Sequence, residues 1–166
     1  MPSAYPLVKS GIFALIWARE AGKTPEDLVS FLEDADNNEN EEKSFLVDDG
    51  AIKHLTLPDP EKFEFPQRRL QISHLPNLTK LWCHDRMLTD LELSNLPALT
   101  TLACLGNQLT KLDLSNVPAL TVLYCWGNQF TELDLSHVPA LAELWCWGNQ
   151  LAELDLSRLA HLVKLD

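Results

Sequence analysis

The sequence predicts a solenoid made of stacked repeats, and three observations indicate this fold. A segment of 21 residues recurs with the same pattern, in copies that span residues 78–98, 99–119, 120–140 and 141–161. Apolar side chains recur at equivalent places in every copy. Near the start of each copy, apolar residues alternate with outward-pointing ones, which is the period-two pattern of a strand. Repeats this short stack because no single unit can bury its own apolar face.

Within one repeat, counted from its first leucine, positions 1, 4, 6, 11, 14 and 16 are apolar. In the copy at 99–119 these are Leu99, Leu102, Cys104, Leu109, Leu112 and Leu114. Positions 4 and 6 lie on a strand whose positions 3, 5 and 7 point outward, and positions 14 and 16 form a second alternation on the return side. We therefore expect the apolar rows of successive repeats to form one continuous core.

Two further positions indicate turns. Position 9 holds an asparagine, whose amide can bond the backbone of its own turn and of the neighbouring turn: Asn107, Asn128 and Asn149. A proline near the end of the repeat fixes φ and disfavours a helix on the return side: Pro97, Pro118 and Pro139.

The pattern LxxLxCxxNQLTxLDLSxxPA resembles the bacterial leucine-rich repeat family, in its short 21-residue, internalin-like form with Cys in the strand. The resemblance covers residues 70–166 and departs from the pattern at Arg86, where Asn is expected. It implies an α/β class fold, a right-handed superhelix with a parallel sheet on its concave face. It also implies target recognition, with roles in virulence or signalling, and it supplies no catalytic residue.

Three regions are expected along the chain. Residues 1–43 read as an N-terminal helical cap with an acidic linker, because apolar residues at helical spacing fill 3–22 and Thr24-Pro25 starts a second helix. A secretory signal is the rival interpretation of 3–22, but Arg19-Glu20 follows where a cleavage site should be. Residues 44–77 read as an irregular capping half-repeat.

Residues 78–166 read as four full repeats and the start of a fifth, without a C-terminal cap. The sequence leaves two explanations for that uncapped edge. The chain is a fragment of a longer array, or the edge pairs with something else.

The charge balance argues against several classes of partner. The formal net charge is −11, and residues 1–50 contribute −7 of it, from 11 acidic and 4 basic side chains. An acidic chain without a basic stripe argues against nucleic acid and against anionic membrane surfaces. No stretch approaches the ~20 apolar residues of a membrane-spanning helix, so membrane insertion is not expected.

The four cysteines follow the repeat and all occupy position 6: Cys83, Cys104, Cys125 and Cys146. We interpret them as a column of small buried residues. The alternatives are disulfides, which parallel side chains on stacked strands disfavour, and a metal site. Zinc shared by Cys83 and His84 is excluded because adjacent strand residues point to opposite faces. Free buried thiols favour a reducing compartment, so we expect a cytoplasmic protein; the alternative is a secreted effector without a cleaved signal peptide.

The candidate binding residues project from the concave face, at positions 3, 5 and 7. They are Trp82, His84, Leu105, Tyr124, Trp126, Glu143, Trp145 and Trp147. Same-face aromatics stabilise a sheet by stacking, with ~0.2–1 kcal/mol for each cross-strand pair. Stacking alone does not explain such large groups on a face that the core does not need, so a binding role is favoured. We expect the rings of Trp126, Trp145 and Trp147 to form one cluster beside Tyr124.

The return side carries acids at position 15, followed two residues later by serine: Glu92, Asp113, Asp134 and Asp155. A calcium ladder is the functional interpretation, and the favoured one is that each acid is solvated or bonded to a neighbouring turn. The sequence shows no nucleophile with a base, no glycine-rich phosphate loop and no paired catalytic carboxylates. We therefore expect no enzyme activity, no catalytic residue, no metal and no cofactor.

The sequence predicts a protein–protein interaction module that recognises a protein or peptide partner through its aromatic concave face. One alternative is the recognition part of a larger bacterial effector or enzyme whose catalytic domain is absent here. The other is a structural repeat protein that self-associates, as a homo-oligomer joined through the uncapped C-terminal edge or the aromatic face.

Overall fold

The structure is a computed structural model that describes residues 45–48, 51–56 and 68–166. The predicted N-terminal helical cap of residues 1–43 lies outside the described residues, as does most of the loop before residue 68. Within the described ranges every regular element is a strand and no helix occurs. The helical half of the expected α/β class is therefore not part of the described fold.

The strands in the described ranges follow the repeat. They are β1 (Phe45–Asp48), β2 (Ala51–Thr56), β3 (Arg69–Ser73), β4 (Lys80–Trp82), β5 (Asp90–Ser94), β6 (Thr101–Ala103), β7 (Val122–Tyr124), β8 (Glu143–Trp145) and β9 (Lys164–Leu165).

Seven strands form the main sheet, in the order β1-β2-β4-β6-β7-β8-β9. Its neighbours run parallel except β1 and β2, which pair antiparallel. Equivalent residues of successive coils face one another, as in the pairing of Leu81 with Leu102 and of Leu102 with Leu123. On the return side β3 and β5 pair parallel, and no strand of the described chain continues that pairing in the later coils. A parallel β-solenoid with 21-residue coils is thus confirmed.

The core is a stack of leucine columns between the two sides of the coil. Leu81, Leu102, Leu123 and Leu144 are each 0% exposed, and so are the leucines that open the repeats. Fully burying one such side chain contributes about 1.5–3 kcal/mol relative to leaving it exposed. The rows join into one apolar cluster, as the repeat pattern predicts.

The cysteine column lies inside that cluster. All four cysteines are free and buried, which agrees with the interpretation of small core residues and not with disulfides. Burial raises the pKa of Cys83 to about 12 and raises the pKa of Cys104 and Cys125 as well. These thiols therefore stay protonated and act as packing groups.

An asparagine ladder fixes the turn that follows each main-sheet strand. Asn107 Oδ1 accepts hydrogen bonds from the backbone N–H groups of Arg86 and Leu88, both at 3.0 Å. Its Nδ2 donates to the carbonyl oxygens of Cys83 and Cys104, both at 2.9 Å. One amide thus joins its own coil to the preceding one, as the sequence predicts.

Asn128 and Asn149 repeat both carbonyl bonds one and two coils further on, and their Oδ1 atoms accept from the N–H groups of Leu109 and Phe130. Beside them, Gly106 has φ +64, and an added Cβ would collide with the Asp85 carboxylate. In the copy without the asparagine, the buried Arg86 takes that place, and both its neighbours, Asp85 and Met87, have positive φ. The turn expected to be irregular thus holds two non-glycine residues in the left-handed region, which L-residues rarely adopt.

Changing Asn128 to Ala should lower the free energy of unfolding by about 1–3 kcal/mol, because it leaves a buried backbone N–H group unpaired. That group is the N–H of Leu109. The carbonyl oxygens of Cys104 and Cys125 each lose one donor but keep the amides of Asn107 and Asn149. Urea unfolding followed by circular dichroism measures the change.

The matched control is Asn116→Ala, because the Asn116 side chain donates only to Ser115 Oγ at the surface, at 3.1 Å. That change should cost less than about 0.5 kcal/mol. Equal effects of the two substitutions would contradict the ladder.

Candidate functional site

Strands β4, β6, β7 and β8 place the predicted binding residues on one outer face of the main sheet. Their third residues, at position 5, are Trp82, Ala103, Tyr124 and Trp145. The parallel ladder continues past the strands, where Asp85 N donates to Leu105 O at 3.0 Å and Gly106 N donates to Trp126 O at 3.0 Å. Position 7 therefore lies on the same face, and it holds His84, Leu105, Trp126 and Trp147.

We call the rings of Trp82, Tyr124 and Trp145 the ring row. The centroids of Trp82 and Tyr124 are 6.2 Å apart with planes at 25°, and those of Tyr124 and Trp145 are also 6.2 Å apart, with planes at 38°. Trp82 and Tyr124 lie on strands that are not neighbours, because β6 runs between them. Ala103 occupies the place between the two rings and is 0% exposed. The two rings therefore close over a methyl group.

A second group lies beside the ring row. Trp126 and Trp147 stack face to face with centroids 4.5 Å apart and planes at 7°, and we call them the tryptophan pair. Trp147 is 49% exposed, the most open ring of the face. At the other end, His84 meets Trp82 edge to face at 6.4 Å. Leu105 is half-buried in the same column as His84 and the tryptophan pair.

The expected single cluster of Trp126, Trp145 and Trp147 is wrong, since the rings form two groups. In the described part of the chain no ring contact joins Trp145 to either member of the tryptophan pair. The reason is spacing. Positions 5 and 7 of one strand are ~6.6 Å apart, whereas equivalent positions on neighbouring strands are only ~4.8 Å apart, so rings pair across strands.

Polar groups on this face are few. Trp145 Nε1 and His84 Nδ1 are covered by neighbouring atoms and have no hydrogen-bond partner. Glu143 accepts a hydrogen bond from Lys164 Nζ at 2.9 Å, in an ion pair whose members are 25% and 58% exposed. An ion pair with side chains this exposed contributes ~0.2–1 kcal/mol to the stability of the fold. In the four full repeats the face therefore has no acidic side chain at positions 5 and 7, whereas the exposed Asp166 holds position 5 of the last coil.

The acids of the return side have a structural role that the sequence analysis missed. Oδ1 of Asp113, Asp134 and Asp155 accepts a hydrogen bond from the backbone N–H of the serine two residues later, at 2.9, 2.9 and 2.8 Å. Each acid thus closes its own turn and not a neighbouring one. Hydrogen bonding by that serine lowers the pKa of all three carboxyl groups.

In the copy at residues 78–98 the equivalent acid is Glu92, which lies in strand β5. Aspartate is the residue whose short side chain reaches the backbone two positions on, so the exchange of Glu for Asp coincides with the end of the return-side pairing. No group of three His, Cys, Asp or Glu side chains within the described ranges could hold a metal ion.

These features define a class of protein: a parallel β-solenoid of 21-residue coils with an internal cysteine column and an outward aromatic face. Within the described residues no helix has the length and apolar character needed to cross a bilayer. No protein-family model matches the chain, and no curated protein matches it.

Among solved structures, the chain is similar to the functional domain of InlJ from Listeria monocytogenes, which is described as including a cysteine ladder. The identity is 28% and the TM-score is 0.39, over 74% of this chain. This chain covers 29% of the InlJ chain, less than a third of its length.

The lowered pKa values predict how stability depends on pH. A carboxyl group whose pKa is lower in the folded state stabilises the fold above its unfolded pKa of ~3.9 and loses that contribution as pH falls through the folded value. Changing Asp113, Asp134 and Asp155 together to Ala should therefore lower Tm at pH 7 and flatten the fall in Tm below about pH 4. Thermal melts between neutral and acid pH measure both effects.

The control is the double change of Glu132 and Glu153 to Gln, since both residues are exposed and neither side chain forms a hydrogen bond within the described residues. Its acid profile should follow that of the unchanged protein. An unchanged acid slope in the triple variant would show that these turns do not depend on the carboxylates.

Proposed function

We propose that this chain is a protein-interaction module that binds a protein or peptide partner through its aromatic face. The observation that carries the proposal is the position of the rings. Trp82, Tyr124, Trp126, Trp145 and Trp147 point away from the core and are half-buried or exposed. Aromatic side chains bury ~150–250 Å² each and are the usual energetic anchors of interfaces.

The core beneath the face supports this reading, because it is complete without the rings. Leu102, Leu123 and Leu144 are 0% exposed on the opposite side of the same strands. A solenoid of this kind needs only small or polar residues at its outward positions, as Thr101 and Val122 show one row away. Five large rings on one face exceed what the fold requires.

The polar groups of the face also support a binding role. An uncompensated buried N–H or ring nitrogen costs ~1–3 kcal/mol, and the face holds two of them, Trp145 Nε1 and His84 Nδ1. Sites retained at a cost to stability are more often functional than structural. The aspartates at position 15, among them Asp113 and Asp134, lie on the return side, so an apolar partner can approach the rings without meeting their charge.

A second candidate is self-association, favoured by the exposure of apolar side chains. Val163 is 77% exposed and Leu165 is 51% exposed, and Trp147 in the preceding coil is 49% exposed. In this reading two copies bury these groups against each other. Molar mass measured by light scattering over a hundredfold range of protein concentration separates the two candidates, because only self-association makes the mass rise.

The double change of Trp145 and Trp147 to Ala tests the binding role. A phage-displayed library of random peptides is selected on the unchanged protein, and the enriched peptides are synthesised with a fluorescent label. Fluorescence anisotropy should show about thirtyfold weaker binding to the double variant, since truncation at a hot spot loses ~2 kcal/mol or more. Tm should fall by only a few degrees, because both rings point outward.

The matched control is the double change of Asp134 and Asp155 to Ala on the return side, which should leave peptide affinity unchanged. Two results would contradict the proposal. One is a set of enriched peptides that binds the tryptophan variant as tightly as the unchanged protein. The other is loss of binding in the return-side variant alone.

A further inference from the structure

The ring row has a spacing of its own that differs from the spacing of the strands. The step from Trp82 to Tyr124 crosses two strand intervals, ~9.6 Å of backbone, and the step from Tyr124 to Trp145 crosses one, ~4.8 Å. Both ring steps nevertheless measure 6.2 Å between centroids. Ala103 makes the spacing even, because only a side chain as small as its methyl group lets the flanking rings close over it, leaving it 0% exposed.

A period of 6.2 Å over three rings selects among the shapes that a peptide can take. In an extended strand, side chains on one face repeat every two residues, at ~6.4–6.8 Å, and stay on that face. In an α-helix the residues i and i+4 rise ~6 Å but turn by ~40°, so the third residue of the series leaves the face. A polyproline helix repeats every three residues, at ~9.3 Å, so its second side chain falls midway between the second and third rings.

We infer that the partner segment is an extended peptide that lies across the strands, along the solenoid axis, with alternate side chains on the three rings of the ring row. This inference rests on the proposed function and adds the shape of the ligand to it. Residues i, i+2 and i+4 of the peptide contact Trp82, Tyr124 and Trp145 in turn, in one direction or the other. Ala103 is a positioning residue, because it sets the period that the peptide reads.

The second group of rings and the charges complete the description of the ligand. The tryptophan pair lies at position 7 of the coils that carry Tyr124 and Trp145, and Trp147 is 49% exposed. The charged side chains at positions 3 and 5 of the described coils are the exposed Lys80, the paired Glu143 and Lys164, and the exposed Asp166. The chain as a whole carries −11 and repels acidic segments. The peptide that fits is therefore neutral or basic, with apolar side chains at alternate positions.

Three synthetic peptides of about nine residues, each ~30 Å when extended, test the inference with the full chain. The first has apolar residues at alternate positions. The second has the same composition with the apolar residues at helical spacing, and the third has proline at every third position. Fluorescence anisotropy should show the alternating peptide binding about tenfold more tightly than the other two.

The decisive variant is Ala103→Phe, which places a ring between Trp82 and Tyr124 and returns the row to the strand spacing. The equivalent position holds Tyr124 and Trp145 on later coils, so the backbone accepts a ring there. Affinity for the alternating peptide should fall about tenfold, whereas Ala103→Ser should keep it. The control is Ala152→Phe, at an exposed site outside the strands of the main sheet, which should have no effect.

If Ala103→Phe does not fold, Tyr124→Leu replaces it, since removing the middle ring should abolish the preference in the same way. The inference is overturned if the helical or proline peptide binds as tightly as the alternating one, if none of the three binds, or if the folded Ala103→Phe protein keeps its preference. The proposed function fails differently: library peptides would bind the Trp145/Trp147 variant as tightly as the unchanged protein. A helical-pattern peptide that needs those tryptophans would refute the inference alone.

Discussion

The structure depends on the register between successive coils, and the asparagine ladder holds that register. Asn107 accepts from the N–H groups of the preceding coil and donates to carbonyl groups of both coils, all within 3.0 Å. Because side chains alternate along a strand, a slip of one residue would turn every leucine outward and every ring inward. The same bonds that close the turns therefore place the leucine, cysteine and aromatic columns. Each repeat of a solenoid contacts only its neighbours. The register of every pair of coils therefore depends on the hydrogen bonds between those two coils.

The two sides of each coil have separate roles. On the main sheet the inward side chains build the core. The outward side chains are not needed for core packing, and the aromatic rings occupy these outward positions. On the return side the outward positions are used by the turn itself, as in the bond from Ser115 N to Asp113 Oδ1. The three aspartates at position 15 are thus tied to backbone geometry on one side, and the opposite side carries the rings. That division makes the aromatic face a surface suited to an apolar partner.

Much of this fold could be predicted from the sequence, because a repeat shows the same residue in the same environment several times. The 21-residue period, the core positions and the asparagine turns each follow from residues whose chemistry leaves few alternatives. The pairing of the rings could not be predicted in the same way. Whether the ring of Trp145 contacts Tyr124 or Trp147 depends on how the spacing along a strand compares with the spacing between strands. It also depends on the rotamer of each ring.

Ala103 was overlooked for a related reason. In the sequence, a small residue between aromatic positions looks like an interruption of the aromatic pattern. Only its complete burial on an outer face shows that the two flanking rings pack over it. The signal was present in the column Trp82, Ala103, Tyr124, Trp145, where one member is far smaller than the others. The turn-closing role of the aspartates was also readable, since aspartate commonly bonds its own backbone two residues on. The N-terminal helical cap, outside the described residues, stays a prediction.

The most direct test of the account is a titration observed at the tryptophans themselves. Protein labelled with 5-fluorotryptophan is titrated with the tightest library peptide and followed by fluorine NMR, with signals assigned by single Trp→Phe changes. The signals of Trp82, Trp126, Trp145 and Trp147 should shift together and saturate at one concentration. Binding that saturates by anisotropy while all four signals stay in place would contradict it, because the partner would then lie on another side of the solenoid.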